Sequence, residues 1–400
     1  MRDVGIVMPV YKQDPVYLEL ALRSVLEQSY TSYHFVIVSD GAPKETIDII
    51  KKITSGDSRV HFIHKEKNEG VAKALNTGFD FLMKIEEINY LTWVSSDNIY
   101  YPLFIERLRN ALKTAPTNVG LSYSSFRHID YKGNYLKEPQ LEEFYKYQDQ
   151  PKENLLDVCF IGVSFMYKKQ IAMMIDGYVL EPVEDYEYWL RLTEYCEIVY
   201  IADALMEYRT NSPLSVSAKL RNSKVQHRRW RYSFNLARQQ ARNRRKIPFL
   251  LTVIYPVKDA SEKTIDKLEQ LLEQSFSNYK LIIIDRTPNL SANKILQHIE
   301  DPRITFILLP NASKSEAIYS GMKAADTPFT LLYDEGPFPS SPLVLYDLII
   351  QGNHIPNQIA FRDNGYLGIS YRTEFDKEEP VFGDLYVTQK LVEILENKEW

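Results

Sequence analysis

Thiols are nearly absent: Cys159 and Cys196 are the two cysteines in 400 residues. That excludes a disulfide framework as the stabilising device and fits a reducing compartment. Long apolar runs are missing too. Those over 249–255 and 281–284 are strand-sized, far short of the roughly 20 residues a membrane helix needs. The opening MRDVGIVMPVYKQD has too short an apolar stretch for a signal peptide, with charges on both flanks. A soluble, cytoplasmic protein is expected. Acidic residues are missing in one place: positions 219–246 hold eleven Lys or Arg and no Asp or Glu, although the whole chain carries −5. That net charge gives no overall reason to expect nucleic acid. The residues present, 44% hydrophobic and 25% charged, are ordinary for a globular protein and exclude a disordered or fibrous one. Four hundred residues are more than one core usually organises, so two domains are expected.

A repeat supports that number. VLEQSYTSYHFVIVSDGAP at 25–43 reappears as LLEQSFSNYKLIIIDRTPN at 271–289. Each is preceded by a strand-like run ending in Pro-Val, at 5–12 and 250–259, and followed by a third, at 60–64 and 304–310. Then come an Asn, a helical stretch with a late Gly, and a fourth strand, at 90–98 and 329–337. A collinear series of four implies two tandem copies of one α/β unit. Short apolar strands alternating with helices predict a mainly parallel sheet covered on both faces. Ligands of such sheets bind beyond the carboxyl ends of the strands, where Asp40 and Asp97 fall in the first copy.

These motifs, in this order over roughly 1–215, resemble the family 2 glycosyltransferases, inverting enzymes of the GT-A fold. The resemblance implies a UDP- or dTDP-sugar donor. Pro9 and Tyr11, in PVY, match the first nucleotide-contacting segment, with Tyr11 suited to stack on the base. Asp40, in SDGAP, matches the aspartate that accepts from N3–H of uracil or thymine. An ionised carboxylate only accepts, so it suits that imide and rejects cytosine. NEGVAKALNTG at 68–78 is similar to the family's N-x-G…A-L-N-x-G helix, which places Asn68 and Gly70 at a helix start favouring phosphate and Lys73 as a diphosphate contact. Lys73 reads equally as a solvated surface lysine.

The acidic metal motif departs from the family's D-x-D. In WVSSDN, Ser95 stands for the first carboxylate, Asp97 matches the metal-coordinating one, and Asn98 replaces the third. Asn211 stands where some members carry a histidine ligand after a Tyr-Arg pair. Mg²⁺ or Mn²⁺ often needs only one or two protein carboxylates beside diphosphate oxygens and water, so a metal is expected through Asp97 with lowered affinity. EPVEDYEYWLRL at 181–192 resembles the segment holding the catalytic base, which is Asp185, with Glu184 beside it. The bland alternative for Asp185 is a helix-start acid complementing the dipole. Trp189 reads as core, and Arg191 as a buried salt-bridge partner outside the site.

The domain reading is a catalytic GT-A domain over 1–217, a basic connector helix over 218–247, and a degenerate, compressed GT-A-like domain over 248–400. QHRRW at 226–230 matches the Q-x-x-R-W of processive family members such as hyaluronan and cellulose synthases, but no membrane span accompanies it. The preferred reading is a connector packed on the acidic catalytic body. An anionic membrane face or acidic acceptor contacted through 219–246 comes next, and nucleic acid last. In the second copy Asp285-Arg286-Thr287 replaces Ser39-Asp40-Gly41, and an Arg cannot accept from a base N3–H. Its metal loop becomes Tyr333-Asp334-Glu335-Gly336; 367–374 echoes the closing strand, IGVSFMYKK at 161–169, which resembles the strand that closes the family's sugar site, and 378–386 sets Asp384 opposite Asp185 with Gly383 where Glu184 was. Acceptor docking, homodimerisation or partner binding is expected of this copy. The function expected is transfer of one sugar to a hydroxyl of a glycan or lipid-linked acceptor in surface-polysaccharide or glycoconjugate synthesis. The alternative is an inactive sugar-nucleotide-binding scaffold, favoured by Ser95, Asn98 and Asn211.

Overall fold

In the computed structural model, which describes residues 2–137, 141–210, 220, 223–355, 358–373 and 380–396, the chain divides into two compact units, Met1–Ala237 and Arg238–Trp400. The first begins with β1 (Val4–Val10), buried at every position except Pro9, which is half-buried. A strand so apolar must be covered on both faces, which is the environment of a central parallel strand. Asp14 starts the next helix, its carboxylate accepting from the N–H groups of Val16 and Tyr17 ahead of Pro15. The elements that follow are α1 (Pro15–Leu26), β2 (Tyr33–Asp40), α2 (Lys44–Thr54), β3 (Val60–Lys65), α3 (Val71–Met83), β4 (Tyr90–Trp93) and β5 (Ile99–Tyr100). After them come α4 (Phe104–Thr114), β6 (Val119–Ile129), α5 (Leu141–Gln148), β7 (Phe165–Lys168), α6 (Lys169–Ala172), α7 (Glu184–Leu192) and β8 (Glu197–Arg209). The eight-stranded sheet has the order β3-β2-β1-β4-β7-β6-β8-β5. β3, β2, β1 and β4 are parallel, and β7 joins β4 antiparallel.

α8 (Lys224–Arg244) contains the boundary between the units. Arg231, Arg238 and Arg242 on it are buried, and Lys224, Arg229 and Arg244 are exposed. The described cations of the basic block therefore do not form one continuous exposed face.

The second unit runs β9 (Leu251–Val257), α9 (Glu262–Leu272), β10 (Tyr279–Asp285), α10 (Ser291–Leu296), β11 (Ile304–Leu308), α11 (Lys314–Lys323) and β12 (Phe329–Leu332), then α12 (Val344–His354), β13 (Ala360–Asp363), β14 (Ile369–Arg372), β15 (Leu385–Val387) and α13 (Thr388–Glu396). Its sheet has the order β11-β10-β9-β12-β15-β13-β14. The first six places repeat the first sheet in order and direction, since β15 joins β12 antiparallel and β13 joins β15 antiparallel. The architecture is α/β, two tandem GT-A-like sheets joined through a basic helix. Each unit has its own apolar core.

The repeated sequence has an atomic reason. Gln28 donates to Tyr101 O at 2.8 Å and accepts from Ile105 N–H at 3.1 Å; Gln274 does the same with Ser341 O at 2.9 Å and Leu345 N–H at 3.1 Å. The Tyr33 and Tyr279 hydroxyls donate to Val25 O and Leu271 O at 2.8 and 2.9 Å. The late helical glycines allow close packing: a Cβ on Gly78 would lie 2.5 Å from Val7, and one on Gly321 2.8 Å from Ile254. LEQS and the late Gly are thus structural staples of the unit.

Register corrects one expectation. Tyr90 pairs with Lys168 and Leu91 with Tyr167 in the first sheet, as Phe329 pairs with Val387 and Thr330 with Tyr386 in the second. The counterpart of the closing strand is therefore 380–388 rather than 367–374, within which Ile369–Arg372 forms the β14 edge of a hairpin. Asp384 falls opposite Phe165, not opposite Asp185, and is occupied with Arg362 at 2.5 Å. Among the described residues the second unit has no counterpart of α7.

Candidate active site

β1, β2 and β4 run parallel, so their carboxyl ends share one edge. Pro9 and Tyr11 lie there; Pro9 is half-buried and the Tyr11 ring is exposed. Asp40 ends β2 and is almost fully buried. Its carboxylate accepts from Glu69 N–H at 3.1 Å and Gly70 N–H at 3.0 Å, and pairs with Lys65 Nζ at 3.0 Å. Asn68 donates to Asp40 O at 3.1 Å. Three donors on a carboxylate with about four acceptor positions leave room for one more.

The phosphate expected at the start of α3 meets carboxylates already in place. Asp40 takes two N–H groups, and Glu181 Oε1 takes that of Ala72 at 2.9 Å. Gly70, at φ +100°, has no Cβ because one would lie 2.5 Å from Glu181 Oε1. Gly70→Ala should lower stability by about 1–3 kcal/mol through backbone strain at that φ, seen as a drop in Tm; an unchanged Tm would refute the strain. Lys73 points to solvent and pairs loosely with Glu69 at 3.7 Å.

Asp97 follows β4. Ser95 Oγ donates to its Oδ1 at 2.5 Å, and burial pushes its carboxyl above the ordinary range against the pull of Ser95 and Arg209. Asn98, fully buried, accepts from Arg209 N–H at 3.0 Å, while Arg209 Nε donates to Asp97 O at 3.0 Å. Ser95 and Asn98 thus hold the Asp97 loop instead of supplying further carboxylates. Asn211 lies outside the described residues. Among the described residues no three His, Cys, Asp or Glu side chains converge as a metal cage.

Glu184 and Asp185 open α7. By solvent contact they are half-buried, yet they are densely surrounded, and burial lifts both carboxyls well above the ordinary range. Glu184 is raised further by the charges of Asp185 and Glu181, whereas the Tyr186 N–H, donating at 2.7 Å, draws Asp185 back. A pair so placed keeps a proton where free carboxyls lose theirs. The loop before it is strapped to α3 by Asn76, which donates to Tyr178 O at 2.8 Å and accepts from Tyr178 N–H at 2.7 Å. Arg191, paired with Glu187 at 2.7 Å, donates to Gly177 O at 2.8 Å. Asp40 is therefore joined to Asp185 through α3 and this loop. Rings connect Asp97's strand to the same helix: Trp93 meets Phe165, which meets the fully buried Trp189.

Residues 5–175 match the model of glycosyl transferase family 2.

The match spans Asp40, α3 and Asp97 and stops short of Glu184 and Asp185. Over 378 residues the chain is 21% identical to an uncharacterised glycosyltransferase of Rickettsia bellii, covering 83% of this chain and 53% of that protein. It is 26% identical over 228 residues to one from Methanocaldococcus jannaschii, covering 56% of this chain and 76% of the relative. The chain spans 53–59% of the length of the relatives from Rickettsia bellii, Rickettsia felis and Rickettsia conorii. Among solved structures, S. aureus TarS 1–349 in complex with UDP-GlcNAc gives a TM-score of 0.44 at 14% identity, over 60% of this chain and 83% of that one.

Beyond the family 2 match, α8 stands closer to Asp185 than its composition suggested. Phe234 stacks on Tyr186, the residue after Asp185, with centroids 4.2 Å apart, and Trp230 of QHRRW packs on Phe234 at 4.8 Å with its ring tilted by 30°. Lys65, Asn76, Glu181, Arg209 and Phe234 were not singled out in the sequence as members of this region. Asn76 sits inside a quoted motif, so an Asn in mid-helix was the available signal; the others needed the fold.

Proposed function

We propose that the first unit is an inverting glycosyltransferase that moves a sugar from a UDP- or dTDP-sugar to a hydroxyl of a glycan or lipid-linked acceptor, in surface-polysaccharide or glycoconjugate synthesis. The observation that carries this reading is the joining of two carboxyl groups of different character by one helix start. Asp40 is held by three donors with an acceptor position to spare, and Asp185 is one of a crowded pair that retains a proton. Asp40 accepts from the pyrimidine N3–H while Tyr11 stacks on the base. Pro9, Asn68 and Gly70 shape the nucleotide edge, and Lys73 swings from the rim toward the diphosphate.

Asp185 receives the acceptor's proton as the hydroxyl oxygen bonds to C1 and the C1–O bond to the diphosphate breaks, inverting the anomeric centre. Glu184 shares the proton of the pair. Asp97 would hold Mg²⁺ or Mn²⁺ together with diphosphate oxygens and water, and such an ion, when bound, neutralises leaving-group charge. A single carboxylate fits that mode and no richer one. The second unit is a binding rather than a catalytic domain. Its Asp285 is consumed by Thr287 and by Asn293 N–H at 2.6 Å, and Arg286 stands where Asp40 would be.

A thermal-shift panel tests the donor class: UDP and dTDP should raise Tm by several degrees in the presence of Mn²⁺, and GDP and CDP should not. Equal stabilisation by CDP would remove the role given to Asp40.

A further inference from the structure

We propose that Glu181 is a positioning residue, whose carboxylate on the first turn of α3 holds the base-bearing loop against the helix that Asp40 clamps. This rests on the glycosyl-transfer reading of the first unit. The helix start carries backbone N–H groups with no intrahelical partner, and two carboxylates from distant parts of the chain divide them. Asp40, from β2, takes those of Glu69 and Gly70; Glu181, from the loop before α7, takes that of Ala72 at 2.9 Å. Gly70 makes the arrangement possible, since any Cβ there would collide with the Glu181 carboxylate. One turn further along α3, Asn76 brackets the backbone of Tyr178. The loop is thereby pinned near both ends, and its rear pin lies three residues before Glu184.

The same carboxylate has a second effect, through charge. The charges raising Glu184 include Asp185 on its own helix and Glu181 on the loop, both anionic. From α3, Lys73 is turned to Glu69; α8 lays the Phe234 ring on Tyr186, and its arginines Arg228, Arg231 and Arg238 have partners of their own. Glu181 therefore fixes where the pair stands by its hydrogen bond, and helps it keep a proton by its charge.

Two variants of the full chain separate these effects. Glu181→Gln keeps a carbonyl acceptor for Ala72 N–H and removes the charge, whereas Glu181→Ala removes both. With UDP as probe, binding by both should stay within about threefold of the unmodified chain, because Asp40 is untouched. Turnover of a UDP-sugar by Glu181→Ala should fall about tenfold or more with donor KM little changed. In Glu181→Gln turnover should largely survive, but the Glu184 titration midpoint, followed by carboxyl NMR, should move down by about half a unit, as should the acid limb of the rate profile. An unmoved midpoint in Glu181→Gln overturns the proposal, and so does normal turnover by Glu181→Ala. If Glu181→Ala does not fold, as judged by circular dichroism, the midpoint in Glu181→Gln decides alone. A chain that binds no UDP and turns over no UDP- or dTDP-sugar defeats the glycosyl-transfer reading instead. The midpoint needs no substrate, so it still reports whether Glu181 acts on the pair.

Discussion

Asp185→Asn is expected to lower sugar transfer by about 10²–10⁴-fold while the chain stays folded and still binds UDP. The amide has the carboxylate's shape and can accept the Tyr186 N–H as Asp185 does at 2.7 Å, but it cannot take a proton from an attacking hydroxyl. Initial rates with a UDP-sugar measure the loss, and full activity in a folded variant would remove Asp185 as the base. Stability should move the other way. Burial raises both carboxyls of the Glu184–Asp185 pair, and the charges of Asp185 and Glu181 raise Glu184 further, so the folded chain holds protons that the unfolded chain releases near pH 4. The folded state thus binds more protons than the unfolded one, and this contribution to stability falls as pH rises from about 4 through the titration of the pair. Asp185→Asn removes one of the two charges, so its Tm should exceed that of the unmodified chain at pH 8 and converge with it toward pH 4. A variant less stable at every pH would mean that the pair is a structural contact rather than a strained functional one.

Asp301→Ala is expected to destabilise the second unit by about 3–5 kcal/mol, the cost of leaving a buried guanidinium without its partner. Arg303 donates to both Asp301 oxygens at 2.8 Å and stacks over Tyr279 at 4.3 Å, and the two side chains are 2% and 0% exposed. The first unit carries the same device in a wetter place. Arg59 pairs with Asp57 and covers Tyr33 at 4.6 Å, with side chains 17% and 22% exposed. Water can replace that partner, so Asp57→Ala should cost about 1 kcal/mol or less. Amide hydrogen exchange along β10 and along β2 reads each unit separately. Equal losses of protection in the two variants would contradict the burial argument.

The repeat was legible in the sequence because it is local. A strand covered on both faces must be apolar throughout, and LEQS must recur wherever one glutamine ties a strand-leading turn to a helix start. The strand-end aspartates, Asp40 and Asp97, were legible for the same reason, since hydrophobic runs mark where strands stop. The C-terminal echo misled, because 367–374 resembles an apolar closing strand in composition, and only the antiparallel register of β15 on β12 distinguishes the true one. Ser95 and Asn98 looked like lost ligands when judged by residue type. Ser95 turns instead to Asp97, two residues on, and the partner of Asn98, the Arg209 N–H, becomes a neighbour only when β8 returns to the sheet.

By itself the sequence determined the α/β class, the two copies and which carboxyl groups end strands, because these follow from hydrophobic period and chain order. Tertiary structure alone decided that Glu181 and Asp40 meet on one helix start, that Phe234 backs Tyr186, and that the Glu184–Asp185 pair is crowded enough to retain a proton. Those facts depend on contacts between residues far apart in the chain, and on the exclusion of water by whatever packs around them.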